Sequence, residues 1–265
     1  MIRQTFAAII IGFCTLNQIN SQTHNPDIVE KLSMSLVYQL GFINMPSGEI
    51  LFQSSKTDNG NGKELLLEAK GNTLKSFDFF FTYSSSLQTC IDIKTSRLNF
   101  SERKVNHNGN LFEESYLFDT NRKKAFSKCV NDKHICKYDT LQLINSFHDF
   151  LSAFYDLRFQ NYTEMKAGQN KTLTILLENK FYPLNTTYLG IEKITLPDGR
   201  NFVCYKLKIQ VIEGSVFKSD NIINAWISAD NKRLPVKLYA GILVGSLNAY
   251  LINSNSINES LTQNK

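Results

Sequence analysis

From about Ser35 to Ile252 the chain breaks into short runs of alternating apolar and polar residues, separated by turns rich in Asn, Gly and Pro. Alternation is the period of a strand, whose successive side chains point to opposite faces, so one face of each run can be buried. Short strands following one another roughly every ten residues, joined by tight turns, make an antiparallel meander. This rhythm constrains the fold more than any other feature of the chain.

The turns fix where strands meet. His107-Asn108-Gly109-Asn110 predicts a hairpin, because Asn-Gly accepts positive φ at both central positions. Leu196-Pro197-Asp198-Gly199-Arg200 predicts another, pairing Tyr188–Thr195 with Phe202–Val211, and Ala229–Arg233 a third. Met45-Pro46-Ser47-Gly48 reads as a turn ending the first strand. The period changes once. Leu141, Ile144, Phe147, Leu151 and Phe154 lie three or four apart, and Asp139 with Gln142 resembles a capping box. These predict one amphipathic helix over residues 140–158. With 19 Phe and 11 Tyr in 265 residues, aromatics favour strands elsewhere. The expectation is a mainly β fold: a curved antiparallel sheet forming a half-open barrel with one packed helix. It occupies a single domain over residues 22–252, led in loosely by 22–33 and followed by a disordered tail, 253–265.

Function classes narrow next. A formal net charge of +5 without a basic stripe gives no nucleic-acid footprint. Arg3 followed by the apolar run Phe6–Leu16 has the length of a signal-peptide core and is too short for a bilayer span. Residues 1–21 therefore read as a signal peptide, with Gln22 the expected mature N-terminus. Phe13 before Cys14 departs from a lipid-attachment motif. The expected address is exported: periplasm, outer-membrane-associated or extracellular, and not integral to the membrane. In an oxidising compartment Cys129 and Cys136, flanking a short polar loop, are the expected disulfide. A metal site built on them with His134 lacks a second ligand pair, so no metal or cofactor is expected. Cys90 and Cys204 stay open between pairing and free thiols.

No nucleophile elbow, phosphate loop or zinc-protease motif is present. The best chemistry-bearing group is on the predicted helix, where His148, Ser152 and Tyr155 share a face near Arg158. A Tyr/His pair beside an Arg could abstract a proton next to a carboxylate. The same Tyr155 and Arg158 could equally tie the helix to the sheet. Trp226, the one tryptophan, is a sugar-stacking platform or a core residue, near Asp230 and Arg233.

His148-Asp149-Phe150-Leu151-Ser152-Ala153-Phe154-Tyr155-Asp156-Leu157-Arg158 resembles the LSAFYxLR signature of the domain-of-unknown-function 3108 family, secreted or lipid-anchored proteins of Gram-negative bacteria. Tyr116–Asp119, Glu213–Phe217, Trp226–Asp230, Arg233–Val236 and Gly245-Ser246 follow in family order, over about residues 35–252. The resemblance implies a fold and an address more than an activity. The expected function is an exported envelope protein that binds, without catalysis, an elongated or apolar ligand, a lipid or a glycan, on the concave sheet. Its ligand-binding candidates are Tyr155, Arg158, Trp226, Asp230, Arg233 and His148. The rivals are a glycan-active lyase or hydrolase using His148, Tyr155 and Arg158, and a structural partner in an envelope complex.

Overall fold

The computed structural model describes residues 29–58, 62–80, 82–130, 135–211, 222–242 and 244–256. The signal segment, His134 and residues 257–265 of the expected tail lie outside the described residues. Eight strands come first: β1 (Glu30–Leu40), β2 (Ile43–Asp58), β3 (Lys63–Thr73), β4 (Tyr83–Asp92), β5 (Leu98–His107), β6 (Asn110–Asp119), β7 (Lys124–Val130) and β8 (Cys136–Gln142). One helix, α1 (Phe150–Arg158), follows. Six more strands complete the described chain: β9 (Asn170–Leu177), β10 (Lys180–Thr195), β11 (Asn201–Val211), β12 (Ile222–Ser228), β13 (Pro235–Gly241) and β14 (Ser246–Ser256).

All fourteen strands belong to one antiparallel sheet, curved but not closed, with β8 and β9 as its edges. Two meanders, β1–β8 and β9–β14, meet in the middle where β1 pairs with β14. The expected mainly β architecture is therefore present. Alternation explains the core. β1 buries Leu32, Met34, Leu36 and Tyr38, β3 buries Leu65, Leu67 and Ala69, and β11 buries Tyr205, Leu207 and Ile209. Curvature turns these faces toward one another, and α1 packs against β3, β4 and β9. Phe154 of the helix stacks on Phe52 at 4.8 Å. Phe147, just before the helix, lies 5.4 Å from Phe118 and 5.6 Å from Phe181, bridging the two halves.

The helix is shorter than the sequence predicts. Residues 136–142 form β8, with Leu141 opposite Ala125 and Asp139 opposite Ser127. Pairing there satisfies the backbone of β7, which a helix would have left as an edge. Only Leu151 and Phe154 of the predicted stripe lie on α1, while Ile144 is 43% exposed. The true start is Asp149, whose carboxylate accepts from the Ser152 amide at 2.9 Å, while the Ser152 hydroxyl accepts from the Asp149 amide at 2.9 Å. This is a reciprocal capping box three residues apart, with Ser in place of the usual Glu.

Other boundaries also move. β1 begins at Glu30, inside the expected lead-in, and β14 runs on to Ser256, inside the expected tail. Pro46 and Gly48 sit within β2, not in a turn. Leu36 faces Gly48 and Val37 faces Pro46, so Ser47 is the extra residue of a bulge, a position that tolerates proline. Cys129 and Cys136 carry free thiols, as do Cys90 and Cys204. Register gives the reason: Cys129 faces Lys137 and Val130 faces Cys136, so the two cysteines point to opposite faces of the hairpin.

Leu151 is buried and Ile144 is not. Leu151→Ala should therefore cost about 2–5 kcal/mol, and Ile144→Ala less than about 0.5 kcal/mol. Urea unfolding of the two variants checks the helix boundary.

Candidate functional site

Four of the sequence-predicted residues, Tyr155, Arg158, Asp230 and Arg233, do converge, but into a latch at the end of the sheet where β1 begins. Arg158 is completely buried in the last turn of α1. Its Nη1 pairs with Glu30 Oε1, and its Nη2 donates to Glu30 Oε2 at 2.9 Å, a forked geometry. Its Nε donates to the Arg233 carbonyl at 2.8 Å and Nη2 also reaches the Lys232 carbonyl at 3.4 Å. Asp230 shapes the β12–β13 turn that offers those carbonyls: its Oδ1 accepts from the Ser228 hydroxyl and from the amides of Lys232 and Arg233. The Tyr155 ring lies 4.9 Å from the Arg158 guanidinium, and burial raises its hydroxyl above the ordinary tyrosine value. Arg233 lays its own guanidinium over Tyr205 at 4.6 Å. The Arg158 fork, the Glu30 carboxylate, the turn carbonyls and Asp230 are all used by the fold, while the Tyr155 hydroxyl and Arg233 Nη1 are buried without a hydrogen-bond partner among the described residues.

His148 does not share a helix face with Ser152 and Tyr155, because it precedes α1 and pairs with β9. Its amide donates to Thr174 and its carbonyl accepts from Leu176. Burial lowers its imidazole from the usual 6.5 to about 4. The next residue, Asp149, caps α1 and also accepts from Thr89 of β4 and from Ser101 of β5, the latter at 2.6 Å. The helix start is thereby fastened to the inner face of the sheet.

That inner face carries the residues that sequence reasoning missed. Across β5 and β6, Arg103 faces Glu114 and Ser101 faces Tyr116. Arg103 is 3.3 Å from Glu114 and 3.5 Å from Glu178, a residue of the β9–β10 turn. The Tyr116 hydroxyl donates to Glu114 at 2.5 Å and accepts from the Asn179 amide at 2.8 Å. Burial raises the Glu114 carboxyl above the usual carboxylate range, against the pull of Arg103 and Tyr116. The Arg103 guanidinium lies 4.7 Å from the Phe112 ring and 5.8 Å from Phe150, and its buried Nε–H has no partner among the described residues. Arg103, Glu114, Tyr116, Ser101, Glu102 and Asp149 border a small open recess, about 10 Å³ and so roomy enough for one water-sized group, whose apolar wall is Leu87, Phe150 and Leu176. Chemically it offers a cation, a carboxyl held toward its neutral form, hydroxyls and ring faces. Among the described residues no cluster of His, Cys, Asp or Glu could hold a metal ion.

A family model described as "Protein of unknown function (DUF3108)" matches residues 35–252. The chain belongs to this family. No curated protein matches it. Among solved structures it is similar to a β-barrel-like protein of the domain-of-unknown-function 1849 family from Brucella abortus, at a TM-score of 0.57 and 10% identity. That alignment covers 87% of this chain and 98% of the other, and the likeness is one of fold. No helix among the described residues is long and apolar enough to cross a membrane.

In this DUF3108 chain the segment Leu151–Arg158 has a structural use at nearly every position: Leu151 in the core, Ser152 in the cap, Phe154 on Phe52, Arg158 in the latch. Trp226 stands apart from both clusters. It is buried on β12 with Lys206 of β11 and Lys237 of β13 on either side, their ammonium groups 5.2 and 4.9 Å from its ring. Glu192 pairs with Lys206 at 2.7 Å, and that contact holds its carboxyl below the usual range. A sugar has no open ring face to stack on here.

Two outcomes follow for stability. Glu30→Gln leaves Arg158 buried without a counter-charge and should cost about 3–5 kcal/mol in chemical denaturation. His148 binds its proton in the unfolded chain at about 6.5 but in the folded one only near 4. The unfolded state therefore takes up a proton first, and stability should fall by about 3 kcal/mol as pH drops across that window. Melting profiles of the parent and His148→Gln between pH 7 and 4 should differ by this loss.

Proposed function

We propose that this chain is an exported envelope protein that binds a hydroxylated ligand, a terminal sugar unit of an envelope glycan, at the Arg103 recess without turning it over. The observation that carries this reading is the state of Arg103, whose buried Nε–H lacks a partner while its charge is lodged between rings and carboxylates. A sugar hydroxyl both donates and accepts, so it suits a guanidinium donor beside a carboxyl acceptor, and its C–H face suits Phe150. At about 10 Å³ the enclosed part of the recess admits a single hydroxyl or water, which favours one terminal unit that inserts a hydroxyl beside Arg103 and keeps its ring at the mouth. The rest of the concave face is filled by core side chains such as Met34, Leu67 and Ile209, which weighs against the elongated apolar ligand expected from sequence. Export is supported by Arg3 and the apolar run after it.

Binding is favoured over catalysis because the other two carboxylates at the recess are engaged, Asp149 by the helix cap, Thr89 and Ser101 and Glu102 by Lys104 at 3.0 Å. One observation favours an enzyme as a second reading. The raised Glu114 carboxyl is what a general acid needs, which moves that reading from the His148, Tyr155 and Arg158 group to this recess.

Native mass spectrometry of protein purified from its own envelope should show a chain beginning at Gln22 with one or a few sugar units bound. Arg103→Lys, which keeps the charge but loses the free Nε–H and the planar guanidinium over Phe112, should lose that mass while the protein still melts cooperatively near the parent temperature. A co-purified acyl chain, or no bound mass, would sink the binding reading. Glycan cleavage by the parent that is absent in Glu114→Gln would establish the enzyme in its place.

A further inference from the structure

The opposite end of the sheet from the latch carries a different surface. Three connections meet there: β1–β2 at Gly41-Phe42, β3–β4 around the 3-10 turn Lys75–Phe77, and β13–β14. Between them they expose Leu40, Phe42, Ile43, Phe79, Phe80 and Val244. Phe42 is fully exposed and Phe79 is 91% exposed, so these side chains protrude and do not line a groove. Their supports are rigid. Phe77 is buried beneath them, 5.9 Å from Tyr38 and 5.0 Å from Phe80. The Tyr38 hydroxyl donates to the Val244 carbonyl at 2.9 Å, joining the first turn to the last. Gly41 and Gly245 both have positive φ, and a Cβ at Gly245 would run into the Gln39 carbonyl, so the turns approach one another as closely as backbone allows.

We infer that this apolar end docks on a lipid bilayer surface, placing Phe42, Ile43, Phe79, Phe80 and Val244 in the interfacial layer. Shape is the first argument for this occupant. Convex, fully protruding aromatic tips need a matching pocket on a protein partner, whereas a bilayer closes around any shape. Charge is the second. Leu40–Asn44 and the described residues of Ile242–Gly245 carry no charged side chain, and the β3–β4 connection carries one Lys and one Asp, Lys75 and Asp78. Such a surface has no electrostatic preference, so the hydrocarbon boundary of a neutral bilayer fits it better than a charged partner does. The third argument is direction. Glu30 faces Ser256 at the far end of the β1–β14 pair, so the described chain enters and leaves the sheet away from this tip. Contiguous apolar exposure of this kind on a folded chain marks an interaction surface. The inference stands independently of the Arg103 recess.

Flotation of the full mature chain with phosphatidylcholine vesicles tests it. The parent should float, with little change when phosphatidylglycerol is added or salt is raised. Phe42→Ser and Phe79→Ser should each lower the partition coefficient by about tenfold, with melting temperatures like the parent because both side chains are exposed. A parent that stays at the bottom, or serine variants that float as well as the parent, would overturn the inference. So would binding that requires phosphatidylglycerol and vanishes in high salt. Light scattering covers the remaining occupant: a dimer that Phe42→Ser dissociates assigns the tip to a second copy instead of lipid.

Discussion

The buried pairing of Arg158 with Glu30 is the interaction on which the rest of the molecule depends. It joins the end of α1, the start of β1 and, through the Arg233 and Lys232 carbonyls, the β12–β13 turn. A guanidinium without exposure tolerates this site only because its fork, its Nε and its ring neighbours are all engaged. Hydrophobic contacts alone would let α1 slide along the concave face. The fork allows one rotation and one depth, so the core residues of the helix meet fixed partners such as Phe52.

Asp149 does the same work at the other end of α1. One carboxylate completes the cap, and its second oxygen ties the helix to Thr89 and Ser101. With both ends fastened, the helix serves as an internal strut for a sheet whose edges do not pair. Across that opening the contacts are lighter: Asn179 donates to Tyr116 through its amide and lies 3.4 Å from Asp139 through its side chain. The recess beside Arg103 lies near this lighter side, where a polar stripe on the inner face replaces aliphatic packing.

Three hairpin turns were legible because they are local, although the turn read at Met45–Gly48 lies inside β2. Asn108 and Gly109 do adopt positive φ, and the Pro197–Gly199 and Asp230–Arg233 connections fall where composition puts them. The helix start was not legible. The spacing of Leu141, Ile144 and Phe147 imitates a helical stripe, and only the long-range demand of β7 for a partner shows otherwise. The latch was half legible: Tyr155, Arg158, Asp230 and Arg233 could be grouped by type, but Glu30 lay in a stretch that reads as loose. The recess could have been found. A two-residue turn sets His107 opposite Asn110, and steps of two along each strand then bring Arg103 opposite Glu114. The missing clue was that this charged pair lies on the inward face, which alternation alone assigns to apolar residues.

The seam between β1 and β14 has a consequence for how the chain assembles. Each meander pairs neighbours in sequence, so either half can grow hairpin by hairpin with little loop to close. The central pair, in contrast, brings Glu30 to Ser256, almost the full described length apart. β1 thus waits for β14 to be synthesised, with one hydrogen-bonding edge unsatisfied in the meantime. During that interval β2 shields one side of β1 and nothing in its own half shields the other, so the edge most open to mispairing is the one the finished protein keeps deepest in its sheet.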